Sequence, residues 1–124
     1  MRLVGSGQEQ EFREELRKSN WSLFHENDHT RLLEAIQTVF LDMKTAYVIE
    51  WVPDQEEDTY GVLINTNIVA WIVLDRVNLD NKPIIQHSSV QEYKKKLKKI
   101  KQIQLLVALD LAATDVEDDQ TPLN

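Results

Sequence analysis

The 124-residue chain has no cysteine, and that one absence removes disulfide frameworks, thiolate zinc sites, iron–sulfur clusters and cysteine nucleophiles together. Glycine and proline are scarce, three of each, so neither a collagen-like nor a low-complexity linker composition applies. No apolar run approaches the roughly 18 residues of a membrane span. Met1-Arg2-Leu3-Val4-Gly5-Ser6-Gly7 contains no apolar signal-peptide core, and the expected location is the cytoplasm. Positive charge is also in short supply. The chain carries 14 Lys and Arg against 21 Asp and Glu, a net charge of −7. That balance disfavours a polyanionic partner and suits a basic one. With 42% hydrophobic residues the chain can bury a core, and its length predicts one domain over 1–124.

Residues 1–7 read as a flexible lead-in around Gly5-Ser6-Gly7. From about 8 to 18, acids precede bases along the segment and Phe12 and Leu16 lie one turn apart, which predicts a helix. Asn20-Trp21-Ser22-Leu23-Phe24 fits either a short strand or an apolar lead into the next helix. Asn27 or Asp28 is a suitable N-cap, and Leu32, Leu33, Ile36, Val39, Phe40 and Met43 recur at spacings of three and four, predicting a helix over about 29–43.

The period then changes to two. Three strands are predicted at about 45–52, 59–65 and 68–76, an antiparallel meander with a further edge strand at 84–87. Tyr47, Ile49 and Trp51 should share one face of the first strand, and Ala46, Val48, Glu50 and Val52 the other. A two-residue loop at Thr66-Asn67 would set Ile64 opposite Val69, Val62 opposite Trp71 and Tyr60 opposite Val73. Both faces of this hairpin are apolar, which implies cover on both sides, by helices or by a partner.

Ser88 or Ser89 can cap a long C-terminal helix over about 89–112. Such a helix would be about as long as the domain is wide. It either crosses the domain, breaks near Gln102–Gln104, or carries its all-round apolar segment 103–112 into a homodimer interface. Residues 115–124, with Asp115, Glu117, Asp118 and Asp119, read as a disordered acidic tail. The fold class that follows is α+β, with two helices before the sheet and one after it.

Few residue sets in the chain combine chemistry with spacing. His25-Glu26-Asn27-Asp28-His29 fits H-E-x-x-H and resembles, over five residues, the zinc-peptidase signature; the resemblance implies His25 and His29 as zinc ligands and Glu26 as general base. Asn27 and Asp28 favour a helix start over a helix interior, and no third ligand is evident. The polar turn 54–58 offers Asp54, Glu56, Glu57 and Asp58 beside Glu50 and Trp51. It lacks the glycine and ligand spacing of an EF-hand loop, so a basic protein partner or a solvated hairpin tip fits better than a cation. Six of the 14 bases fall within Lys94–Lys101. No aromatics interleave with them and the rest of the chain is strongly acidic, which argues against nucleic acid. Tyr47, Trp51, Tyr60 and Trp71 supply the aromatic area of the sheet, and Trp51 beside a charged turn has the makings of an interface anchor.

The expectation is a small non-enzymatic binding module of the inhibitor or antidote type. It would engage a basic protein through Glu50, Trp51, Asp54, Glu56, Glu57 and Asp58, without cofactor or membrane. The alternatives are a zinc-dependent hydrolase on His25, Glu26 and His29, and a structural homodimer through 103–112.

Overall fold

The computed structural model describes residues 3–120. The chain is α+β. Helix α1 (Gly7–His25), a 3-10 turn (Asn27–His29) and α2 (Thr30–Val39) precede β1 (Ala46–Pro53), β2 (Glu57–Ile64), β3 (Ile68–Asp75) and β4 (Ile84–Ser89); α3 (Val90–Lys94) and α4 (Lys99–Gln120) follow. The strands form one antiparallel sheet in the order β1-β2-β3-β4. No helix among the described residues is long and apolar enough to cross a membrane.

Both sheet faces are covered by the chain's own helices, which is why both carry apolar residues. On one face Tyr47, Ile49, Leu63 and Val69 pack against Leu16 of α1 and Leu105, Val107, Ala108, Leu111 and Ala112 of α4. On the other, Ala46, Val62, Ile64, Ala70, Ile72 and Leu74 pack against Leu23 of α1 and Leu32, Ala35 and Ile36 of α2. Helix α1 contributes to both clusters because it borders the β1 edge. It continues well past residue 18, so Asn20–Phe24 is helical. The Ser19 hydroxyl accepts from the Val48 N–H at 3.2 Å, and the Asn20 amide donates to the Ala46 carbonyl at 2.8 Å. Two backbone groups of the β1 edge that would template another strand are thereby occupied, and β4 forms the other edge.

At the N-terminus a lead-in was expected, but a capping box organises the chain. The Ser6 hydroxyl accepts from the Glu9 N–H, and the Glu9 carboxylate accepts from the Val4, Gly5 and Ser6 N–H groups. Those backbone donors, Ser6 first, hold the Glu9 carboxyl below its ordinary range. Asn27 and Asp28 do not cap α2: Glu26 and His29 stand at the cap positions, and neither makes a side-chain capping bond. Helix α2 stops at Val39 instead of running to 43. Phe40 and Met43, whose spacing suggested a longer helix, pack against the α2-side cluster from the following loop.

Two registers differ from expectation. The β2–β3 loop is three residues, Asn65-Thr66-Asn67, so Leu63 opposes Val69, Val62 opposes Ala70 and Gly61 opposes Trp71. Asn65 is withdrawn from the strand by a left-handed φ of 52° and by its side chain, which accepts from the Lys44 and Thr45 N–H groups and donates to the Asp42 carbonyl. In β1 a bulge lies between Val48 and Glu50. Ile49 joins Tyr47 in the α4-side cluster, and beyond the bulge the alternation inverts.

The C-terminal region is two helices. The chain turns at residues 95–98, earlier than Gln102–Gln104, with Gln102 Nε2 donating to the Leu97 carbonyl at 3.0 Å. This turn lets α4 pack against both α1 and the sheet, which explains the apolar circumference of 103–112: most of it belongs to the chain's own core. Nor is 115–120 a disordered tail. Helix α4 continues to Gln120, and the Asp115 carboxylate accepts from the Thr45 hydroxyl at 2.7 Å and from the Tyr47 phenol. Residues 121–124 of the expected tail, and Met1 and Arg2 of the expected lead-in, lie outside the described residues.

Candidate partner-binding end of the sheet

The β1–β2 turn carries four carboxylates at one end of the sheet, of which three project into solvent. The Asp54 N–H donates to the Glu57 carbonyl at 2.8 Å, and the Asp54 carboxylate caps the Gln55 N–H at 2.6 Å. Asp54, Glu56 and Glu57 are exposed, while Asp58 is turned back to pair with Arg76 at 3.5 Å. The Arg76 N–H also donates to the Glu56 carbonyl, bringing the end of β3 against the turn. There Asp75 accepts from the Val77 and Asn78 N–H groups and from the Asn81 amide. These bonds, Asn78 first, hold its carboxyl below the ordinary range, so it organises the 75–81 loop.

Trp51 stands beside this turn, 60% exposed, with its indole N–H 3.4 Å from Asp58. Val52, its neighbour in β1, is 56% exposed on the opposite face, so each face of this charged end carries exposed apolar area. Glu50, grouped with Trp51 by sequence proximity, is not part of this surface. The bulge places it on the α4 side, where its carboxylate accepts from the Tyr93 hydroxyl at 3.0 Å.

Around Glu50 lies a second constellation that sequence reasoning missed. Glu50, Trp71, Ser88, Glu92, Tyr93, Lys96 and Leu97 line a cavity of about 480 Å³. Trp71 and Tyr93 are tilted ring neighbours at 5.9 Å. Gly61 makes the arrangement possible, because a Cβ there would sit 2.9 Å from the Trp71 ring and 3.2 Å from Glu50 Cβ. An isolated glycine within a strand is a sequence signal for such a close approach.

The H-E-x-x-H segment does not form one helical face. Helix α1 ends at His25, Glu26 is extended (φ −94°, ψ 140°), and His29 lies in the 3-10 turn. The His29 ring hydrogen-bonds to the Ser22 hydroxyl at 2.9 Å and meets Tyr60 edge-on, while His25 lies against Trp21. Among the described residues, no group of three or more His, Asp or Glu side chains is placed to share a metal ion. The lysine-rich segment coincides with the α3–α4 turn, where Lys95 pairs with Glu92 at 3.7 Å.

Comparison with protein-family models, curated proteins and solved structures returned no match.

All three tyrosines are perturbed in one direction. Burial is the first cause for each; the neighbouring carboxylates Asp115, Asp58 and Glu50 further oppose ionisation of Tyr47, Tyr60 and Tyr93 respectively. Each phenol therefore lies above its ordinary value of 10.0 in the folded protein. Folding favours the protonated phenol, so this contribution is complete below pH 10 and declines as pH rises beyond it. In an ultraviolet titration the folded chain is expected to show little tyrosinate absorbance at pH 10, followed by a rise that coincides with loss of circular dichroism. A resolved native titration centred near 10 would contradict the buried placements.

Proposed function

We propose that the chain is a protein-binding module that engages a basic partner through the acidic end of its sheet. The observation that carries the reading is Trp51, largely exposed on the strand that leads into the turn bearing the exposed carboxylates of Asp54, Glu56 and Glu57. A large exposed aromatic at the base of a charged turn supplies an apolar anchor together with electrostatic steering. Carboxylates presented on a hairpin can also occupy a pocket that receives phosphates in the partner. That chemistry suits inhibitor or antidote proteins of enzymes acting on nucleic acids.

The test starts from the full chain recovered with its partner from its own cells at low salt. Purified partner is then titrated against the Glu56→Lys/Glu57→Lys variant and against Lys94→Glu/Lys95→Glu. Reversal at the turn is expected to weaken binding by at least about tenfold and to reduce its salt dependence. Reversal at the lysines should leave turn-mediated binding intact. Unchanged affinity in the first variant, with its melting curve also unchanged, would reject the acidic turn as the binding element.

A further inference from the structure

The two sheet faces are covered unequally at the acidic end. On the α2 side, Ile72 is fully buried and Leu74 nearly so, and among the large apolar residues of the sheet exposure there is confined to Trp51 on the edge strand β1. On the α4 side, Val52 opposes Thr59, Thr59 opposes Val73 and Val73 opposes Ile84, giving a continuous row across all four strands. Thr59 and Val73 are only partly buried, while Val52 and Ile84 are 56% and 59% exposed. This row spans three interstrand spacings, about 14 Å. The ten-residue helix α2 measures about 15 Å, so a helix of that size would cover it.

The surroundings of the row specify the chemistry of such a helix. Glu57 and Asp75 border it towards the turn, and Glu50 and Glu92 border it across Trp71; the facing bases are Lys82, Lys96 and Lys95, the last paired with Glu92. Asp75 is committed to its own loop, so Glu50 and Glu57 are the carboxylates available to a basic partner. Glu50 is held by Tyr93 through one oxygen, and its carboxylate lines the cavity beside the Trp71 and Tyr93 rings. An aromatic wall with a fixed carboxylate is a receptor for a guanidinium or ammonium group, through cation–π attraction and a charge-assisted hydrogen bond.

We propose that the uncovered half of the α4-side face receives a short basic amphipathic helix of the partner protein. Its apolar side chains lie over Val52, Thr59, Val73 and Ile84, and one Arg or Lys enters the cavity lined by Glu50, Trp71 and Tyr93. The proposal rests on the reading that the partner is basic, but places the principal contact on the sheet face.

The probe is a synthetic amphipathic helix with leucine on one face and arginine and lysine on the other, compared with a shuffled peptide of identical composition. Both are titrated into the isotopically labelled full chain at near-physiological salt. The amphipathic peptide is expected to bind about tenfold tighter than the shuffled one, because only it presents a continuous apolar face. Amide shifts should centre on Val52, Val73 and Ile84, with the Trp71 indole moving most among the side chains. Ile84→Glu and Glu50→Gln should each weaken binding about tenfold with unchanged melting. Ile84 is exposed, and glutamine retains an oxygen acceptor for Tyr93.

Equal affinity for the two peptides, or no binding by either, would overturn the helix-docking proposal; the cellular-partner experiment on Glu56 and Glu57 would remain an independent test of the acidic turn. Binding insensitive to Ile84→Glu and Glu50→Gln but lost in Glu56→Lys/Glu57→Lys would overturn the face proposal while supporting the turn. Peptide binding unaffected by all three variants would also overturn the face proposal, and the acidic turn would then stand or fall on the cellular-partner experiment.

Discussion

Replacing Asn65 by alanine is expected to destabilise the protein by about 3 kcal/mol, among the largest effects of any single change outside the core. The side chain accepts from two backbone N–H groups, Lys44 at 2.8 Å and Thr45 at 3.2 Å, and donates to the Asp42 carbonyl at 3.1 Å. Each such bond contributes about 0.5–1.5 kcal/mol net. Asn65 also has φ of 52°, a conformation that asparagine tolerates and alanine adopts at a cost of about 1 kcal/mol or more. Glycine and aspartate separate these contributions. Asn65→Gly removes the side-chain bonds but relieves the backbone, whereas Asn65→Asp keeps the acceptors and loses the donor. Both should fall between wild type and alanine in chemical denaturation. A loss below about 0.5 kcal/mol in Asn65→Ala would show that the bonds to the loop before β1 do not determine this turn.

Asn65 also shows why the sheet was legible in outline but not in register. Alternating Val, Ile, Tyr and Trp identify the strands because that pattern follows from the pleat. Their pairing depends on whether Asn65 belongs to the strand or to the loop. That choice is made by backbone groups of residues 42–45, some twenty positions away. A shift of one residue exchanges the faces of β3, so Trp71 lies beside Glu50 on the α4 side. The bulge at Ile49 does the same to β1, separating Glu50 from its sequence neighbour Trp51. The acidic turn was legible because it is contiguous in sequence. The cavity around Glu50, Trp71 and Tyr93 was not, since two local irregularities and the turn after α3 together create it.

Helix positions show a similar limit. The stripe from Leu32 to Ile36 predicts α2 correctly, yet Phe40 and Met43 extend the same period from a loop. Periodicity records which residues are buried; it does not by itself record whether the backbone between them is still helical. In α1 the polar residues Ser19 and Asn20 obscure an otherwise continuous buried face. They are there because that face meets the backbone of an edge strand, which requires hydrogen-bonding groups.

Deleting residues 115–124 is expected to lower stability by about 2–4 kcal/mol, although composition alone marks this segment as dispensable. Both the Thr45 hydroxyl and the Tyr47 phenol donate to Oδ2 of Asp115, fastening the last turns of α4 to the start of β1. Hydrogen bonds to a charged acceptor contribute about 1.5–3 kcal/mol, and Tyr47 is 3% exposed, so its hydroxyl has limited access to replacement water. For a chain of this length the deletion corresponds to a fall in melting temperature on the order of 10 °C. Asp115→Ala in the full chain should reproduce most of that loss, because the carboxylate rather than the length of the helix is responsible. Tyr47→Phe removes one donor, and its combination with Asp115→Ala should cost less than the sum of the two single changes by about 1 kcal/mol. Strict additivity would place Tyr47 and Asp115 in separate environments. A deletion that melts like the full chain would mean that β1 is held by α1 and β2 without α4, and that the acidic end of the chain is free for another role.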